Sequence, residues 1–221
     1  SLGLVGSEMC IRDSLMYGAR NTLGIAFLTT TLAFLLGGLS GLVAAIKGGW
    51  VDQGLSRVVD ILMAIPQLIF ALLILSVVGT NATSLVLVIA LLDSTRVFRL
   101  SRAVAMTVVV QDFVEAARLR GEGLWWLVTR EVLPNAAAPL IAEFGLRFCF
   151  VFLFISALSF LGLGIQPPTA DWGSMVRDNA VLITFGDISP LLPALAVALI
   201  TVSVNFVVDW MLHKSSGLKE G

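Results

Sequence analysis

The chain has 221 residues, 57% of them apolar and only 13% charged, with a formal net charge of −1 and a mean hydropathy of +0.96. Soluble domains average about 45 to 50% apolar and about 25% charged residues, so a water-soluble fold is excluded, and scattered arginines at near-zero net charge exclude a nucleic-acid partner. Cys10 and Cys149 lie in unrelated settings and His213 stands alone beside Lys214, so neither a disulfide framework nor a metal site is indicated.

Residues 1–14 have no apolar period of useful length, and no basic stretch precedes an apolar core of the about 7 to 15 residues a signal peptide needs. This segment reads as non-native, resembling translated adapter sequence, and the membrane domain is placed at residues 15–212. Residues 21–46 pass without a charge, enough for a spanning helix of about 20 residues. The uncharged run 61–92 is too long for one helix and is broken at Val78-Gly79-Thr80-Asn81-Ala82, a turn-type cluster. It predicts spans at 61–78 and 83–98. A fourth span is expected at 136–161 and a fifth at 188–208.

Asp93, Arg96, Arg99 and Arg102 follow the apolar core of the third span. Asp93 and Arg96 are i,i+3 neighbours on one helix face, while Arg99 and Arg102 can snorkel to the headgroups. This reading makes the cluster interfacial rather than functional. Glu143 and Arg147 form an i,i+4 pair near the start of the fourth span and are read the same way. With the third span ending in the cytoplasm, nine cations fall inside: Lys47, Arg57, Arg99, Arg102, Arg118, Arg120, Arg130, Lys214 and Lys219. Three fall outside: Arg12, Arg20 and Arg177. The positive-inside bias therefore makes the 47–60 loop, the 111–135 segment and the 213–221 tail cytoplasmic, with the N-terminus outside.

The 111–135 segment interrupts the apolar chain with charges, two glycines and a proline. Residues 111–120 are good helix formers, Gly121-Glu122-Gly123 is a break, and residues 124–132 can be helical again. Pro134 is expected to stop that second helix short of the next span. Two short helices at an angle make a cytoplasmic knob between two spans. Phe113, Ala116, Ala117 and Leu124 are its apolar contact points, and Trp125 and Trp126 suit the headgroup layer.

Glu115-Ala116-Ala117, Gly121 four positions on, and Leu133-Pro134-Asn135 resemble the EAA loop of bacterial ABC-importer permeases. Further motifs are Gly48-Gly49-Trp50-Val51-Asp52, Val59-Asp60-Ile61-Leu62, Leu158-Ser159-Phe160-Leu161-Gly162-Leu163-Gly164, and Gln166-Pro167-Pro168 followed by Asp171-Trp172-Gly173. With Asn205 and Asp209 in the last helix, these resemble the dipeptide/oligopeptide/nickel branch in its second-permease type, over residues 17–209. The pattern departs at Glu131, where the broader EAA pattern has isoleucine, and at Ile155, where many relatives have glutamate. Five spans stand where the family usually has six, so the chain is read as lacking its first helix. Gly37, Gly38 and Gly41 on the first helix present are expected to pack closely against another helix.

The resemblance implies an all-α polytopic transmembrane bundle of the type I importer permease fold, multi-pass in the bacterial inner membrane and surrounded by lipid. It implies a path-forming subunit for di- or oligopeptides, with nickel or another small solute as the alternative. The implied partners are a second permease subunit, two cytoplasmic ATPase subunits and a periplasmic substrate-binding protein. On this resemblance Glu115 makes polar contacts with the ATPase, Ala116 and Ala117 permit close approach, and Gly121 makes the turn. Leu133, Pro134 and Asn135 complete the coupling motif.

No G-x-x-x-x-G-K-[ST] phosphate loop occurs in the sequence, so the chain is expected to have no ATPase site and no catalytic residue. It is expected to bind no cofactor or metal itself; ATP and Mg are used by the partner subunits. The second, fourth and fifth spans are expected to line the path, but no residue identifies a substrate. A secondary transporter is the alternative class and would need interrupted helices and ion-coupling groups at the midplane, where Pro66 is the main interruption. A purely structural membrane subunit is the weaker third reading. Dependence on a partner ATPase separates them.

Overall fold

The computed structural model describes residues 2–166 and 169–217, with side chains described at 13–166, 169–211 and 213. All regular structure among them is helical. Residues 2–47 form one helix, α1, in which Phe34–Gly38 is a π-helical stretch. Gly48 and Gly49 both take positive φ, a conformation glycine adopts without penalty, and turn the chain into α2, Gly49–Ala64. Ile65 is extended, as the residue before a proline tends to be, and α3, Gln67–Val78, leaves at 87° to α2. Then come α4 (Ala82–Val109), α5 (Asp112–Leu119) and α6 (residues 124–160). They are followed by α7 (Trp172–Asn179), a 3₁₀ stretch at Ala180–Phe185 and α8 (Leu191–Gly217).

The stretches Asp13–Lys47, Leu124–Phe160 and Leu191–Met211 are long and apolar enough to cross a bilayer singly, and α2 with α3 qualify as a bent pair. Helix α4 has 28 residues, about 42 Å of rise, but Asp93, Arg96 and Arg99 interrupt its apolar run. Each expected span thus has its helix. The second is shorter than expected: Pro66 ends α2 and leaves α3 only 12 residues, about 18 Å.

Gly37 and Gly41 let α1 press its backbone against α4. A Cβ on Gly37 would lie 2.9 Å from the Phe98 nitrogen, and one on Gly41 2.7 Å from the Phe98 carbonyl oxygen. The helix that takes up the glycine face is therefore α4 of the same chain. Helices α6 and α8 meet where a Cβ on Gly145 would run into Val208. Asn205 of α8 donates to the Thr201 carbonyl at 2.8 Å and reaches Cys149 Sγ at 3.7 Å. The main core joins α1, α3, α4, α6 and α7 through Ala26, Leu75, Ile89, Phe152, Ile155 and Trp172. Ile155 is fully buried there.

On the outer side, by the orientation above, Asp171 caps α7 and ties it to α1. Its carboxylate accepts from the Ser174 backbone N–H at 3.0 Å and from the Thr22 hydroxyl at 2.9 Å. Trp172 Nε1 donates to the Leu15 carbonyl at 2.9 Å. Gly173 sits against Ser159 and the Ser156 carbonyl, where a Cβ has no room. The Asp171-Trp172-Gly173 motif is thus a packing device. Pro167 and Pro168 of the neighbouring motif lie outside the described residues, as do residues 218–221 of the tail and Ser1 of the N-terminal segment. Residues 2–14 continue the backbone of α1.

The charged residues of α4 differ from the expectation. Asp93 is 1% exposed, and its nearest cation is Arg147 of α6, with Nη1 3.8 Å from Oδ1, not Arg96 of its own helix. Arg147 also keeps its expected partner Glu143 at 2.7 Å. Arg102 does not snorkel freely, since its guanidinium grips the Asp52 carboxylate of α2 with two hydrogen bonds, one of 2.6 Å to Oδ2.

Candidate coupling surface

Helix α5 is the first half of the expected knob. Asp112 and Glu115 sit in its first turn and Arg118 in its last, the order that complements the helix dipole. Val114 and Ala117, three residues apart, form one inward stripe and are fully buried. They pack on Leu127, Val128 and Val132 of α6, on Leu42 and Ile46 of α1, and on Ala105 and Val108 of α4. Arg118 reaches back to donate to the Ile46 carbonyl at 3.0 Å, satisfying an acceptor that the C-terminal end of α1 leaves without an intrahelical partner. The knob is therefore built onto the ends of three spans.

The turn after α5 closes as a Schellman motif. The Gly121 N–H donates to the Arg118 carbonyl at 2.9 Å and the Glu122 N–H to the Ala117 carbonyl at 3.2 Å. Gly121 holds φ at +84°, and a Cβ there would meet nothing within 4 Å. Its glycine is required by the backbone and not by crowding within this chain. Arg120 lies 5.8 Å over the Trp126 ring and within 4.0 Å of both Glu122 and Glu131, bracing the loop on α6.

Pro134 does not stop the second helix. Residues 124–160 run on continuously, with Leu127–Val132 widened into a π-helical stretch just ahead of the proline. Proline removes a donor and crowds the carbonyl four residues before it, and the wider turn gives that carbonyl room. Asn135 donates its side-chain amide to the Glu131 carbonyl at 2.6 Å, supplying a donor beside the proline.

The seven expected coupling residues divide by position. Glu115, Ala116 and Gly121 are exposed on the α5 side, and Leu133, Pro134 and Asn135 are exposed on α6 just after its π-helical stretch. Ala117 is the correction: it is buried against α6 and does not face outward. Leu133 is 37% exposed and borders an apolar groove of about 530 Å³ between α1 and α6, with Leu39, Leu42 and Ala137. Three features went unread. Leu119 is 83% exposed beside Glu115; Trp125, expected in the headgroup layer, is 62% exposed and extends this apolar outer surface of the knob; and exposed Arg118 reaches back to the end of α1. With Val114 and Ala117 assigned inward, a helical wheel carries Leu119 to the outer face, so the signal for Leu119 was available.

The family described as binding-protein-dependent transport system inner membrane component matches residues 33–215. The di/tripeptide transport system permease protein DppC of Pseudomonas aeruginosa is 35% identical over 209 residues, covering 93% of this chain and 69% of that protein. The dipeptide transport system permease protein DppC of Alkalihalophilus pseudofirmus is 31% identical over 88% of this chain, which spans 64% of that protein's length. The inward-facing MetNI methionine ABC transporter superposes with a TM-score of 0.73 at 15% identity, over 91% of this chain and 95% of that one. An amino acid ABC transporter crystallised with histidines gives 0.69 at 20% identity, over 94% and 97%. At those identities the two structures speak to the fold alone.

Proposed function

This chain belongs to the family of binding-protein-dependent transport system inner membrane components, and from that premise we propose that it is the path-forming permease subunit of an ATP-driven peptide importer. It works in the bacterial inner membrane beside a second permease, with two cytoplasmic ATPases and a periplasmic binding protein. Its likeness to two DppC permeases supports the peptide substrate. The observation that carries the coupling role is the knob. Helix α5 exposes Glu115, Ala116 and Leu119 while its other face is fixed to the ends of α1, α4 and α6.

The chain's part in the cycle is mechanical. ATP and Mg act at the partner subunits, whose closure would push on α5. Because Val114 and Ala117 are fully buried against the ends of three spans, the push is passed to those spans as a rigid-body displacement. The test is reconstitution of the full complex in proteoliposomes with its binding protein. Uptake of labelled Ala-Ala should require ATP inside the vesicle-equivalent cytoplasmic side and stop when the ATPase is inactivated by substitution. Uptake driven by an ion gradient without ATP would assign the chain to secondary transport instead.

A further inference from the structure

Pro66 breaks the α2–α3 pair where α4 carries its charges, and the break opens a cleft. Gln67, Asp93, Arg96, Phe150, Val151 and Phe154 line about 190 Å³ of it, and a neighbouring lobe of about 160 Å³ shares Gln67 and Arg96. Asp93 is the twelfth residue of α4, about 17 Å along that helix, and lies inside the span expected at 83–98.

The charges around the cleft do not balance pairwise. Arg147 serves two carboxylates, Glu143 at 2.7 Å and Asp93 at 3.8 Å. Asp93 is 1% exposed, and its Oδ2 has no hydrogen-bond partner among the described residues. A buried carboxylate oxygen left without a donor is costly, and charge at this depth marks functional sites. One turn further along the same helix, Arg96 is exposed and makes no ion pair within 4.0 Å among the described residues. Beside it α3 begins at Gln67, and the first hydrogen bond to that helix turn is from Phe70 to the Pro66 carbonyl. The preceding N–H groups are left without intrahelical acceptors, and with the helix dipole they favour an anion.

We propose that this cleft is a transmembrane contact site for the two charged ends of a short zwitterionic peptide. Asp93 Oδ2 accepts from the α-ammonium. Arg96, with the Gln67 amide and the start of α3, receives the carboxylate. Phe150 and Phe154 supply apolar walls for the side chains between, and Phe150 is itself held by Arg147, whose guanidinium carbon lies 4.9 Å from the ring centroid. The proposal rests on the peptide-importer reading and adds the residues that meet the cargo.

The experiment measures equilibrium binding of tritiated Ala-Ala to the permease–ATPase complex in lipid nanodiscs without binding protein. N-acetyl-Ala-Ala and Ala-Ala-amide serve as competitors. The wild-type complex should bind Ala-Ala saturably and each blocked peptide about tenfold or more weakly, the scale for leaving one member of a charge pair unmatched. Asp93→Asn should erase the distinction between Ala-Ala and its N-acetyl form while keeping that against the amide. Arg96→Gln should do the reverse. Should Asp93→Asn fail to assemble through loss of its Arg147 contact, Arg96→Gln decides, and its thermal unfolding transition should match wild type. A wild-type complex that imports Ala-Ala yet binds none saturably, or variants that keep the wild-type order of the three peptides, overturns the site. Failure of ATP-dependent Ala-Ala import by the wild-type complex with its binding protein strikes the importer reading instead.

Discussion

Gly121 separates two causes that a simple loss-of-function substitution would confuse. Its φ of +84° and the open space around its Cβ position mean that a side chain costs backbone energy and meets no atom of this chain. An L residue in this region costs about 1 to 2 kcal/mol, and a β-branched one lies toward the upper end of about 1 to 3 kcal/mol. Asn tolerates it better than Ala because its short amide can bond locally. If the ATPase accepts only the closed Schellman turn, the competent fraction sets apparent affinity. About 1 kcal/mol then weakens docking about fivefold and about 2 kcal/mol about thirtyfold. ATPase retention on the purified permease and ATP-dependent uptake should therefore fall in the order Gly121, Gly121→Asn, Gly121→Ala, Gly121→Val. Membrane insertion should be unchanged, since no span is touched. Wild-type coupling in Gly121→Val would refute the backbone argument. A loss that follows side-chain volume, with Asn worse than Ala, would instead mean that the partner presses on this position directly.

Glu115→Ala, at an exposed position of α5, should lower ATPase retention by about 0.2 to 1 kcal/mol in a pull-down titration, the range for an exposed charge. Ala117→Leu should do more damage than Ala116→Leu, because Ala117 is buried against Val128 and Val132 and an overpacked core costs about 1 to 3 kcal/mol; thermal unfolding of the purified permease reads the difference. Asp171→Ala should lower the unfolding temperature by removing the α7 cap and leaving the buried Thr22 hydroxyl without its carboxylate, about 1 to 3 kcal/mol together, and Asp171→Asn should recover part of it. A cysteine at exposed Thr169 should react with an impermeant maleimide added to intact cells, whereas labelling only after lysis would invert the topology.

Much of the bundle was legible because its signals are local. Uncharged runs marked the spans, Gly79 marked the turn between α3 and α4, and Gly121 marked the end of α5. The failures are non-local or depend on the exact phase of a helix. The i,i+4 rule paired Glu143 with Arg147 correctly, but the i,i+3 rule paired Asp93 with Arg96, its neighbour in sequence. The Asp93 to Arg147 contact spans 54 positions and exists only because α4 packs on α6. Within the knob the apolar stripe is Val114 and Ala117, not Ala116 and Ala117, and one helical step of 100° decides which alanine faces the partner. The π-helical stretch before Pro134 could not be read either. Proline predicts a break, but the packing of Leu127, Val128 and Val132 under α5 holds the helix together, and the strain is taken up by a wider turn.

The same packing limits how the knob can move. Buried contacts bind α5 to the last turns of α1, to the C-terminal end of α4 and to the start of α6, and Arg118 adds a hydrogen bond to α1. A displacement of α5 therefore cannot be absorbed by one span, because close-packed interfaces transmit strain and do not flow. Helix α4 is the most direct conductor: it is gripped by the knob at Ala105 and Val108 and by α2 at Arg102, and it carries Asp93 and Arg96 about two turns deeper. Any tilt imposed at its C-terminal end would change the distance between those charges and Gln67 across the Pro66 break. On the proposed coupling reading, a peptide held there would feel the ATPase through one continuous helix, since the charges that interrupt this apolar helix lie on the element packed directly against the knob.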